Sequence, residues 1–169
     1  QLRQYVSLTC LSPSEQEYRD IFLLIFYLIG INITDLAHLT EKSIVDGRIE
    51  YQRAKTGKLY SIKIQPEAQE IIDKYKGKDH LLLPFDRYVN YKDYLHHLND
   101  CLGKLGPVVG RYNNGMAIMK PIERDCTTYW ARHTWATIAY EIGTPDEFIA
   151  AALGHSYGNR TTAIYIDKR

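Results

Sequence analysis

Residues 127–169 read TTYWARHTWATIAYEIGTPDEFIAAALGHSYGNRTTAIYIDKR, and the division of this stretch decides the fold. Thr127 or Thr128 caps a helix, TYWARHTWATIAYEI, that stops at Gly143. Thr144-Pro145-Asp146-Glu147 restarts a second, FIAAAL, that stops at Gly154, and Asn159 or Thr161 caps a third, TTAIYID. On the first helix Tyr129, Arg132, His133 and Ala136 recur at spacings of three and four and share one stripe, with Ile138 and Ile142 marking an adjacent apolar one. Arg132 on the first helix, His155 just past the second and Tyr165 on the third bring a guanidinium, an imidazole and a phenol to three successive elements. Packed together, they could close on one anionic group, as phosphoryl chemistry requires.

Taken singly, each residue has a plainer reading. An arginine beside an apolar stripe can simply lay its stem over the core. His155 can cap or pack a helix end, and Tyr165 is one of fourteen tyrosines. Lys55, in a Lys-Thr-Gly-Lys turn, can be a solvated lysine. Their joint occurrence gives them weight.

Upstream, residues 1–11 read as an irregular or extended lead-in. Ser12-Pro13-Ser14-Glu15 is a strong helix start, with Ser12 as cap, Pro13 at the first helical position and Glu15 as capping-box partner. The helix should reach Ile29, bury Tyr18, Ile21, Phe22, Ile25, Phe26 and Leu28, and stop at Gly30. Asn32 or Thr34 then caps a short helix, TDLAHL, with Asp35 in its first turn. A change of period follows: strands near 48–54 and 59–64, after an Asp-Gly turn and around the Lys-Thr-Gly-Lys turn, make a small antiparallel sheet. Alternation puts Ile49, Tyr51, Arg53 and Lys55 on one side if the strand stays regular that far. Further helices are expected from Pro66 to Tyr75, from Tyr91 to Leu102 behind the cap Asn90, and over 108–119, the last weakened by Gly110 and Gly115. The fold class is mainly α with a small antiparallel β-sheet (α+β), about seven helices around one hairpin sheet in a single domain.

Composition narrows the function classes without choosing one. The 169 residues are 45% hydrophobic and 24% charged, ordinary for a globular domain with a real core. The net charge of +1 demands no polyanionic partner, so a nucleic-acid role has to rest on local placement of Arg and Lys. Three cysteines, Cys10, Cys101 and Cys126, form no CxxC pair, which argues against a disulfide scaffold or structural zinc and fits a reducing compartment. The most apolar run, IFLLIFYLIG at 21–30, is about half the length of a bilayer span and reads as a buried helix face. A start at Gln1, with no basic and apolar leader, is what a piece of a longer protein would show.

The motifs together resemble the catalytic domain of the tyrosine recombinases, the phage-integrase family of site-specific DNA recombinases, and more narrowly the integrases of Bacteroides-type mobile elements. The resemblance rests on Tyr129-Trp130-Ala131-Arg132-His133-Thr134 with Ala136-Thr137, on Leu153-Gly154-His155-Ser156, on Thr161-Thr162-Ala163-Ile164-Tyr165, and on Lys55 within Arg53-Ala54-Lys55-Thr56-Gly57. It runs from about Leu11 to Tyr165. It implies the tyrosine-recombinase catalytic-domain fold, with an N-terminal core-binding domain of the full-length protein outside this chain. It also implies cleavage and rejoining of double-stranded DNA through a 3'-phosphotyrosyl intermediate, with no metal and no nucleotide cofactor. The partners it implies are duplex DNA and further copies of the protein, a homotetramer on DNA and a monomer in isolation, in the bacterial cytoplasm and away from membranes.

The roles it implies are residue by residue. Tyr165 is the nucleophile, Arg132 stabilises the phosphorane, Lys55 is the acid for the leaving 5'-oxygen, and His155 donates to a non-bridging oxygen or helps deprotonate Tyr165. Tyr129 replaces a commoner histidine, Asp35 and His133 support the site, and Arg53, Lys55 and Arg132 contact DNA. One position departs from the pattern: in Gly30-Ile31-Asn32-Ile33-Thr34-Asp35, Asn32 stands where the family has its first catalytic arginine. Either Arg53 compensates, or the protein is an impaired relative that still binds DNA. A helical protein-interaction domain is the reading from outside the family.

Overall fold

The computed structural model describes residues 1–78 and 81–155. Tyr165, the Thr161–Tyr165 motif, Ser156 and the third C-terminal helix expected above lie outside the described residues.

Among the described residues, seven α-helices and five short strands follow in the order α1 (Leu2–Ser7), α2 (Pro13–Tyr27), α3 (Ile33–Ala37), β1 (Ile44–Val45), β2 (Arg48–Gln52), β3 (Leu59–Lys63), α4 (Pro66–Lys74), α5 (Tyr91–Leu102), β4 (Val108–Arg111), β5 (Ala117–Met119), α6 (Thr128–Glu141) and α7 (Asp146–Leu153). The mainly helical α+β class holds. Two local expectations do not. Residues 2–7 of the lead-in are helical, and the expected helix over 108–119 is the antiparallel hairpin β4–β5. The β-branched Val108 and Val109 suit a strand, and Asn114 closes the turn by accepting from the Met116 N–H at 3.0 Å. The described residues therefore form two small sheets, β1-β2-β3 and β4-β5.

Helix α2 is the central element. Ser12 and Glu15 form the capping box at its start, and Ile21, Leu24, Ile25 and Leu28 are fully buried along it. It packs against α4, α5 and α6, which close the core around it. The sequence pattern identified this apolar face, but Glu17 and Asp20 are buried on the same helix, while Tyr18 and Phe26, expected to be buried, are half-buried.

The end of α2 sets the position of α6. Ile29 and Gly30 both take left-handed backbone conformations, turning the chain sharply into α3. A Cβ at Gly30 would lie 3.0 Å from both Cα and Cγ of Arg132, so a side chain there would push the two elements apart. This close approach explains the buried stripe of α6, which is Thr128, Ala131, Arg132, Ala136 and Ala139, small residues around one arginine. The stripe differs from the expected one: Tyr129 is 49% exposed and Ile142 is 77% exposed. Helix α7 docks on α6 through a small satellite cluster of Ala136, Ala139, Ile149 and Leu153, with Trp135 packed beside it.

Candidate phosphate-binding site

Four chain segments meet beyond the C-terminus of α2. The first is the turn into α3. Asn32 is the N-cap of α3, its carboxamide oxygen accepting from the Thr34 N–H at 2.9 Å. The position where the family pattern has an arginine is thus committed to starting a helix. That helix carries Asp35, which is buried and accepts from the Ala54 N–H at 3.0 Å while its other oxygen lies 3.8 Å from Arg53 Nε. Asp35 accordingly positions the hairpin and its arginine.

The second segment is the β2–β3 hairpin. Its ladder ends at the Gln52–Leu59 pair, and the Arg53 N–H continues the pairing by donating to Lys58 O at 2.8 Å. Alternation from Ile49 and Tyr51 therefore carries Arg53 to the inner side, where it is half-buried. Regular alternation does not extend to Lys55, which lies exposed in the turn over 54–56.

The third is α6 with Arg132, 5% exposed, donating from Nη1 to the Gly30 carbonyl and from Nη2 to the Leu153 carbonyl. The fourth is the last turn of α7. Arg53 Nη1 also donates to the Leu153 carbonyl, at 2.8 Å, so two guanidiniums converge on one oxygen acceptor. Helix carbonyls at this position have no partner within the helix, which leaves Leu153 available to them. Gly154 takes the left-handed conformation that ends α7, with φ of 73°, and His155 N–H closes the cap on Ala150 O at 2.8 Å. A Cβ at Gly154 would stand 1.7 Å from Arg53 Nη1, so the glycine of Leu153-Gly154-His155 makes room for the arginine.

The His155 pKa lies below the ordinary histidine range because burial disfavours its cationic form, reinforced by Arg132, Arg53 and Lys55. The imidazole thus senses all three cations. The recess lined by Asn32, Asp35, Arg53, Arg132 and Leu153 encloses about 10 Å³, room for about one water. Among the described residues Asp35 is the one carboxylate lining it.

Arg53, Arg132, Asp35, Asn32 and His155 are therefore brought together, with Lys55 at the exposed rim. Tyr129 and His133 are not among the residues lining the recess; their rings face each other on α6 at 6.1 Å between centroids. Sequence reasoning missed Tyr60, whose hydroxyl donates to Ala151 O at 3.1 Å, and the Leu153 carbonyl. Tyr60 could have been found from hairpin pairing, since it stands opposite Tyr51 in the ladder. Nothing in a sequence marks a backbone carbonyl as an acceptor for two arginines.

No family model matches the chain, and no curated protein matches it. Solved structures do. XerA recombinase superposes with a TM-score of 0.64 at 18% identity, over 95% of this chain and 61% of that one. A lambda integrase dimer bound to a COC' core site gives 0.62 at 18% identity, over 99% of this chain and 56% of that one. The Tn1549 transposon integrase in complex with circular intermediate DNA gives 0.55 at 15% identity, over 99% and 59%. The mixed helical and antiparallel architecture is thus the tyrosine-recombinase catalytic fold, and this chain spans about half to three fifths of the length of these structures.

Proposed function

We propose that this chain is the catalytic part of a site-specific DNA recombinase of the integrase type, of the kind carried by Bacteroides-type mobile elements. The observation that carries the reading is the convergence of Arg53 and Arg132 on one oxygen acceptor beside His155. A carbonyl oxygen receiving two guanidinium donors is a fair stand-in for a non-bridging phosphate oxygen. The scissile phosphate would replace it when the end of α7 shifts, since about 10 Å³ does not admit a phosphate.

In the proposed reaction the Tyr165 oxygen attacks the scissile phosphorus. The phosphorus–5'-oxygen bond breaks, and the 3'-phosphate is left on the tyrosine. The phenol, with a reference pKa of about 10, passes its proton to His155, and the surrounding positive charge favours the phenolate so formed. Lys55 protonates the departing 5'-oxygen. Arg132 and Arg53 bear the charge that develops on the phosphorane, with Arg53 supplying what Asn32 cannot. The covalent intermediate conserves bond energy, so the 5'-hydroxyl of a partner strand can reverse the step. Tyr129, exposed on α6 and not among the residues lining the recess, would reach phosphate only with DNA in place.

Lambda integrase is found as a tetramer bound to a Holliday junction, and by that likeness we infer a tetramer on DNA here, in the bacterial cytoplasm. With a net charge of +1, binding by this chain alone should be weak and salt-sensitive. The commitment of Asn32 to capping favours a second reading, a slow or impaired recombinase that retains DNA binding.

A nicked suicide duplex carrying the recombination site, incubated with the full-length protein, should trap a covalent adduct that Tyr165→Phe abolishes. Retardation of the duplex without any adduct would favour the impaired relative. Neither adduct nor retardation would leave a protein-interaction domain.

A further inference from the structure

Tyr60 is placed to do more than fill the hairpin. It stands opposite Tyr51 in the β2–β3 ladder, and the two rings stack at 5.4 Å between centroids with 21° between planes. This leaves its hydroxyl pointing past the sheet to Ala151 O at 3.1 Å, two residues before the Leu153 carbonyl held by Arg53. The hairpin thus presents two donors, Tyr60 and Arg53, to the last turn of α7. Both also lie against Gly154, where a Cβ would meet Tyr60 Oη at 2.6 Å as well as the arginine.

These bonds matter because the apolar hold on α7 is slight. Ile149 and Leu153 are buried against two alanines of α6, while Phe148 is 62% exposed. A helix anchored by so small an area takes the position of its end from its polar contacts.

We infer that Tyr60 is a positioning residue: by holding the Ala151 carbonyl it fixes the last turn of α7, and with it the His155 imidazole, against the hairpin that carries Arg53 and Lys55. The inference rests on the recombinase reading of the site, and it makes hairpin and α7 one unit, so that acid and imidazole are set in register together. The lowered pKa of His155, to which burial, Arg132, Arg53 and Lys55 all contribute, is the electrostatic trace of that register.

Tyr60→Phe removes the hydroxyl and keeps the ring stacked on Tyr51. Single-turnover cleavage of the suicide duplex by the full-length protein should fall about 5- to 10-fold, the effect of one lost hydrogen bond, with duplex affinity unchanged. The His155 titration, followed by NMR, should move up toward the ordinary histidine value as the end of α7 loosens from the cations. In a His155→Gln background Tyr60→Phe should change the rate by less than about twofold, because the two act through one element. An unchanged His155 titration in Tyr60→Phe overturns the positioning role, whatever the rate does. If the parent protein forms no adduct at all, the recombinase reading fails instead, and the titration alone still decides whether Tyr60 sets the imidazole.

Discussion

Two clusters of charged side chains adjoin α2, one along its first half and one just past its C-terminus, and they are assembled differently. In the first, buried Glu17 and Asp20 are surrounded by donors. Glu17 accepts from Tyr94 Oη at 2.6 Å and Arg87 Nη1 at 2.7 Å. Asp20 accepts from Arg19 at 2.6 Å, Lys74 at 2.8 Å and Tyr75 at 2.7 Å. Each carboxylate joins α2 to a neighbouring element, and the charges are matched. In the second cluster, two guanidiniums, an imidazole and a rim lysine gather around a recess to which the described residues contribute one carboxylate, 3.8 Å from Arg53. The arginines there lean on carbonyl oxygens. A matched buried network serves the fold, whereas two guanidiniums converging on one carbonyl oxygen present the donor geometry that an anion would use.

The comparison can be broken from either side. The largest effect should come from Arg132→Lys, which keeps the charge and loses the planar fork. Cleavage should drop by about 10²- to 10³-fold in a single-turnover assay, the scale of one lost transition-state donor. A drop under tenfold would place the chemistry elsewhere. Glu17→Leu tests the other cluster: it leaves the buried Tyr94 hydroxyl without its acceptor and should cost about 1–3 kcal/mol in urea denaturation. The rate per folded molecule should stay at the parental value, and a loss of rate at full folding would mean that the acidic cluster also serves the chemistry.

A smaller effect separates the two roles of position 32. Asn32→Ala should cost about 1 kcal/mol of stability because it removes the acceptor for Thr34 N–H, while Asn32→Asp should cost close to nothing because its carboxylate oxygen keeps that acceptor. If both variants are equally stable, the capping account of Asn32 is wrong. The gentlest test is titration. Burial tends to raise the Asp20 pKa, but bonds from Lys74, Arg19 and Tyr75 outweigh it and the net shift is downward. A carboxyl lowered in the folded state contributes stability above its unfolded value of about 3.9, and that contribution is lost as pH falls through the lower folded value. Asp20→Asn should therefore lower stability at neutral pH and flatten its fall below about pH 4. A parallel acid limb in both proteins would show that Asp20 is not linked to folding.

Much of the fold was legible because local chemistry and global position agree in it. Ser12-Pro13-Ser14-Glu15 forms its capping box, Asn90 caps α5, Asn32 caps α3, and the hairpin falls where the period changes. The 108–119 segment is a hairpin and not the expected helix because the β-branched Val108 and Val109 and the Asn113-Asn114-Gly115 turn outweigh its helical pattern. The burial of Glu17 and Asp20 is not legible in the sequence, because a carboxylate on an amphipathic helix is ordinarily solvated and, apart from Arg19, their partners lie more than fifty residues away.

The sequence by itself determined the residue types at the site: an arginine before His-Thr, a histidine after Leu-Gly, a lysine at a hairpin turn, and an asparagine where the resemblance leads one to expect an arginine. Those are local facts of composition and spacing. Only the tertiary structure decided that Arg53 and Arg132 share the Leu153 carbonyl, that Asp35 steadies the hairpin, that Tyr129 faces outward, and that Gly30 and Gly154 are small because arginines lie against them. These depend on how closely helices and hairpin approach in space, and that distance is set by packing among segments far apart in the chain.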